Sequence, residues 1–75
     1  MATATSSNPI PDLMYDWLTI LQSKAEGINA YEKYMRDAER ENAGECLDLL
    51  RQLHEEDCRQ AERVRDHLKM MCQKQ

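Results

Sequence analysis

ERENAGECL, residues 39–47, is the stretch that decides how this chain folds. It holds Asn42 and Gly44, the two residue types that most readily take the left-handed conformation ending a helix. On either side lie long segments whose apolar residues recur at intervals of three and four. Upstream these are Met14, Trp17, Leu21, Ala25, Ile28, Tyr31, Met35 and Ala38; downstream they are Cys46, Leu49, Leu50, Leu53, Ala61, Val64, Leu68 and Met71. That period places each set on one helix face. The spacing predicts helix 1 over about 12–41, a turn over about 42–44 and helix 2 over about 45–73. Asp12 offers an N-cap oxygen to the first helix, and no proline follows Pro11 to interrupt either one.

Two helices of about 45 Å each, at 1.5 Å rise per residue, joined by so short a turn must run antiparallel. Trp17 and Leu21 then fall opposite Leu68 and Met71, and Met35 falls opposite Leu53. Leu13, Ile20 and Tyr34 widen the first stripe on one flank. A two-helix seam needs only a narrow apolar row, so the extra width asks for a second neighbour. At 75 residues a single chain is near the lower limit for an independent core. The expected fold is all-α, an antiparallel two-helix hairpin that pairs with a second copy into a four-helix bundle. Trp17, Met14, Met70 and Met71 gather at the end away from the turn and serve as packing residues, since methionine fills irregular gaps.

Composition narrows the function. The formal charge is −4, and the arginines are interleaved with acids. Such a surface is laced with i,i+4 pairs and lacks the concentrated basic face that nucleic acid requires. No apolar run reaches membrane-spanning length. The opening MATATSSNPIP, residues 1–11, has neither the basic start nor the apolar middle of a signal peptide and is expected to be a flexible leader. These features predict a cytoplasmic protein. The three cysteines, Cys46, Cys58 and Cys72, show neither disulfide-frame nor zinc-knuckle spacing and are expected to be reduced thiols.

The segment LRQLHEEDCRQAERV, residues 50–64, puts Asp57 and Gln60 in the middle of the second apolar face. Buried polar groups need partners, and Tyr31 across the seam is the natural one, making a polar layer that fixes register. The same segment resembles the second-helix pattern of the ferritin-like superfamily, rubrerythrins especially, in its apolar-x-x-Glu-Glu-x-x-His-Ala spacing. Leu50, Leu53, Glu56, Asp57, Gln60, Ala61 and Val64 align on it without a gap. Upstream, GINAYEKYMRDA, residues 27–38, is similar to the family's first-helix pattern, with Tyr34 and Ala38 in place. The chain also resembles short bacterial ferritin-like hairpins of unassigned function. The resemblance implies a ferritin-like dimeric bundle.

Departures from the pattern fall on the ligands. Gly27 stands where the family carries its first-helix glutamate, and Asp57 and Gln60 stand where it carries Glu-x-x-His. With a carboxylate and the imidazole removed, a catalytic diiron centre is not expected, nor any other cofactor. One alternative cluster remains, in which Glu32, His54 and Asp57 come roughly level and bind iron, manganese or zinc as a ferritin-like dimer. His54 is expected near the rim of its face. Gly27, which costs ~1 kcal/mol relative to alanine inside a helix, is ascribed to close helix approach. With no nucleophile beside a base and no phosphate loop, the favoured function is a non-catalytic interaction or scaffolding module that meets a protein partner.

Overall fold

The computed structural model describes residues 8–74; the first seven residues of the expected leader, and Gln75, lie outside that range. The described chain is two helices, α1 (Asp12–Arg40) and α2 (Gly44–Gln73), and it contains no strand. They form the expected antiparallel hairpin.

Proline sets the start of α1. Pro11 is extended at φ −58° and ψ 146°, and its carbonyl accepts the Tyr15 N–H at 2.9 Å. Asp12 was expected to cap the helix from outside, but it is the first helical residue and makes no side-chain cap bond. Its charge instead faces the positive end of the helix dipole. Just upstream, the Ile10 N–H donates to Asn8 Oδ1 at 3.0 Å in a local side-chain turn.

The turn is a Schellman cap built on Asn42, which takes the left-handed conformation at φ 55°. The Ala43 N–H reaches back to the Ala38 carbonyl at 2.9 Å, and the Asn42 N–H reaches the Glu39 carbonyl at 3.1 Å. Two of the carbonyls that a helix end leaves open are thereby satisfied. Gly44 does not share this role. It has no positive φ and opens α2, one residue earlier than the sequence suggests.

Between the helices runs a strict alternation of threes and fours. On α1 the half-buried and buried seam positions are Met14, Trp17, Leu21, Lys24, Ile28, Tyr31, Met35 and Ala38. On α2 they include Leu47, Leu50, His54, Asp57, Ala61, Val64, Leu68 and Met71. Both are heptad seams, the period that keeps two helices in contact along their length. This corrects the sequence-derived rows at several points. Lys24 replaces Ala25, and Leu47 replaces Cys46 and Leu49, because a 3.5-residue repeat selects slightly different positions from a free helix of 3.6. Leu53 is displaced to the flank. His54, expected at the rim, is a seam residue.

The hairpin buries little. Among the described residues only Ala38 and Leu68 are buried, with 8% and 9% of their surface exposed. The molecule measures 53 × 23 × 14 Å, and its thinnest dimension is close to the width of one helix. There is one layer here, and a stable domain needs two. Among the described residues the surface ion pairs stay within single helices, as at Lys33–Asp37 (2.7 Å) and Arg59–Glu55 (3.5 Å). The Lys33 ammonium bonded to Asp37 holds that carboxyl below its ordinary range, with Arg40 adding to the effect. Exposed pairs of this kind are screened by solvent and add little to stability.

Replacing Asn42 with valine is expected to destabilise the hairpin by roughly 1–2 kcal/mol, because a β-branched residue resists positive φ. Asn42→Gly should be neutral or slightly stabilising. Urea unfolding followed by circular dichroism at fixed protein concentration distinguishes the two.

Candidate functional site

The seam is apolar at its two ends and polar in the middle. Toward the turn the seam carries Met35, Ala38, Leu47 and Leu50; toward the far end it carries Trp17, Leu21, Val64 and Leu68. Between them the heptad positions fall on Lys24, Ile28 and Tyr31 from α1 and on His54, Asp57 and Ala61 from α2. Four polar side chains thus occupy positions that a plain two-helix seam fills with leucine.

Each finds a partner. Tyr31 donates its hydroxyl to Asp57 Oδ2 at 2.7 Å, part-buried between the helices. Lys24 donates from Nζ to Gln60 Oε1 at 2.6 Å. The His54 ring lies edge-on to Tyr31, centroids 5.4 Å apart at 74°, and its Nε2 is 3.8 Å from Cys58 Sγ. Tyr31 also meets Tyr34 edge-to-face at 5.8 Å, an arrangement aromatic quadrupoles favour. Further along, Trp17 packs on His67 with ring centroids 4.5 Å apart. Trp17, Lys24 and Tyr31 are spaced by seven, so they form a ladder of cross-helix contacts that locks one register. Among the described residues no buried side-chain polar atom lacks a partner.

Tyr31 and Asp57 pair as the sequence suggests, but Gln60 does not join them. It is exposed and takes the ammonium of Lys24. The hydrogen bond to Asp57 makes the Tyr31 phenol harder to ionise than usual. Burial and the nearby charges of Asp57 and Glu56 push the same way.

The metal alternative does not assemble. Among the described residues no group of three or more His, Cys, Asp or Glu side chains is placed to hold a metal ion. Glu32 is exposed, His54 turns to Tyr31 and Cys58, and Asp57 is held by Tyr31. The positions aligned with a diiron centre fit a metal no better. Gly27 supplies no ligand, and Gln60 accepts from a lysine that itself occupies the seam. The thiol–imidazole contact of Cys58 and His54 was missed in the sequence, although their i,i+4 spacing is a sufficient signal.

Beside the polar layer one flank is open. Leu13, Ile20, Gly27 and Tyr34 recur at every seventh residue of α1 and share that flank with Leu53 of α2. Leu13 is 61% exposed, Tyr34 47% and Leu49, next to Leu53, 54%. The opposite flank carries Leu18 but also Glu32, Glu39, Arg51 and Arg65. The first side carries more of the exposed apolar side chains, which on α2 stand in one row with Gln60 and His67. Among the described residues no helix is long and apolar enough to cross a membrane, so the strip is not part of a membrane span.

The chain matches no protein-family model, no curated protein and no solved structure. Its likeness to the ferritin-like superfamily rests on the residue spacing described above.

Tyr31→Phe should lower stability and remove one pH response. A tyrosine whose folded-state pKa is raised contributes stability that is present below its ordinary value near 10 and lost as pH rises through the folded value. Unfolding of the native protein should therefore become easier above that pH, and the slope should be shallower in Tyr31→Phe. Tyrosinate absorbance during alkaline titration of the two proteins reports the same group directly.

Proposed function

We propose that this chain is a non-catalytic helical interaction module that works as a homodimer, two hairpins joined face to face into a four-helix bundle of ferritin-like arrangement. The exposed strip of Leu13, Ile20, Tyr34 and Leu53 carries this reading. A hairpin one layer thick that buries only Ala38 and Leu68 among the described residues lacks the second layer on which domains depend. A second copy supplies that layer from the same gene, and its strip is the same shape.

The seam supports a structural role. Its polar residues are bonded to one another, and their engagement defines register in the way that a polar residue at a coiled-coil position does. The remaining surface is acidic and solvated, with a formal charge of −4 for the whole chain. The bundle then acts as a rigid cytoplasmic scaffold, and its outer charged faces and N-terminal segment are available to a further protein partner.

Sedimentation equilibrium of the untagged chain tests this proposal. The expected species has twice the 8.8 kDa chain mass. Ile20→Glu, which sets a charge in the strip, should shift the equilibrium toward monomer by at least tenfold. A folded monomer at all concentrations would overturn the reading.

A further inference from the structure

Cys58 and His54 form a pair that the packing of the seam does not account for. They stand one turn apart on α2 (Gly44–Gln73), with Cys58 Sγ 3.8 Å from His54 Nε2. The imidazole is held from its other side, since its ring lies edge-on to Tyr31 with centroids 5.4 Å apart, and Tyr31 is itself tied to Asp57 at 2.7 Å. A nucleophile, a nitrogen base within its reach and a third group that fixes the base are the parts from which activated nucleophiles are built. Cys58 keeps part of its surface open to solvent. It stands seven residues from Arg51 and from Arg65, on the charged flank and away from the strip of Leu13, Ile20 and Tyr34.

We propose that Cys58, with His54 as its base, is a covalent acceptor site for α,β-unsaturated carbonyl compounds. The proposal stands independently of the dimer, because neither residue belongs to the strip.

The chemistry follows from what surrounds the sulfur. With the ring neutral and its proton on Nδ1, Nε2 is the acceptor that faces the thiol. As Sγ bonds to the β-carbon of the unsaturated carbonyl compound, Nε2 takes the thiol proton and the C=C π electrons move onto the carbonyl as an enolate. The imidazolium then returns the proton to the α-carbon. One S–C and one C–H bond replace one S–H bond and one C–C π bond, so nothing leaves and no oxidant is consumed. Sulfur is soft and polarisable, which suits it to conjugated carbon centres. Disulfide formation within the hairpin is excluded by distance. Cys46 and Cys72 lie on the same helix, roughly 18 and 21 Å from Cys58 at 1.5 Å per residue, and a disulfide needs Cα atoms within about 7 Å of each other.

Cys46 and Cys72 also serve as internal references. Both are more exposed than Cys58, and no histidine stands three or four residues from either one. Access and geometry therefore give opposite orders of reaction. Access alone puts Cys46 and Cys72 first, whereas a base at the sulfur puts Cys58 first.

The test uses the native chain at neutral pH with a limiting amount of N-ethylmaleimide, itself an α,β-unsaturated carbonyl compound. Samples quenched at intervals and mapped by peptide mass spectrometry give a rate for each cysteine. Cys58 is expected to lead the other two by at least tenfold, a modest part of the about 10²–10⁴ that a positioned base supplies. His54→Gln should remove that lead and leave the rates of Cys46 and Cys72 unchanged, with helix content followed by circular dichroism. In urea, where the helices are lost, the three native thiols should react alike, and this comparison holds even if His54→Gln does not fold. Labelling of Cys58 at or below the rate of the other two in the folded native chain overturns the proposal. A lead that survives His54→Gln or urea overturns it as well.

Discussion

The structure depends on the narrowness of a seam between two helices. A heptad interface buries two positions in seven, and this chain gives several of those positions in its central stretch to polar side chains. Apolar burial is deepest toward the two ends, at Ala38 by the turn and Leu68 near the open end. The centre holds together by directed bonds, above all that from Tyr31 to Asp57. Such bonds add little net stability compared with buried hydrocarbon, but they are intolerant of sliding, because a shift of register leaves a donor or a carboxylate without its partner. The seam is thus well specified and weakly driven.

That imbalance explains the rest of the surface. A hairpin whose seam contributes little must find further burial elsewhere, and several of the exposed large apolar side chains share one flank. Leu13, Ile20 and Tyr34 face outward there beside Leu53 and Leu49, while the other flank carries charges of both signs. A second copy laid on the apolar flank would turn a single layer into a two-layer domain. The polar layer would then lie near the middle of a bundle, where its bonds are better shielded from water and its specificity stronger.

Resemblance and geometry meet at the same residues. Gly27, Asp57 and Gln60 are the positions at which the spacing resembles a ferritin-like metal site, and all three have an ordinary structural place in this hairpin. Asp57 accepts from Tyr31, Gln60 accepts from Lys24, and Gly27 leaves a smooth point on the helix surface. A lysine ammonium beside a carboxamide is one way of satisfying polar groups in a seam.

The sequence by itself determined the two helices, their antiparallel course and the place of the turn. These follow from local rules, namely three-four periodicity, the absence of proline after residue 11 and an asparagine suited to the left-handed cap. It also indicated the Tyr31–Asp57 bond, because a carboxylate on an apolar face must find a donor. Tertiary structure alone decided which apolar residues form the seam and which stay outside. Leu49 and Leu53 read as core on a helical wheel but lie on the flank, whereas Lys24 and His54 take seam positions. The wheel of an isolated helix turns every 3.6 residues and the contact line between two helices every 3.5, and that small difference assigns borderline positions only once both helices are in place. Whether Gly27 answered to its own hairpin was likewise settled by the open space around it, a property of the assembled pair of helices that one strand of sequence does not contain.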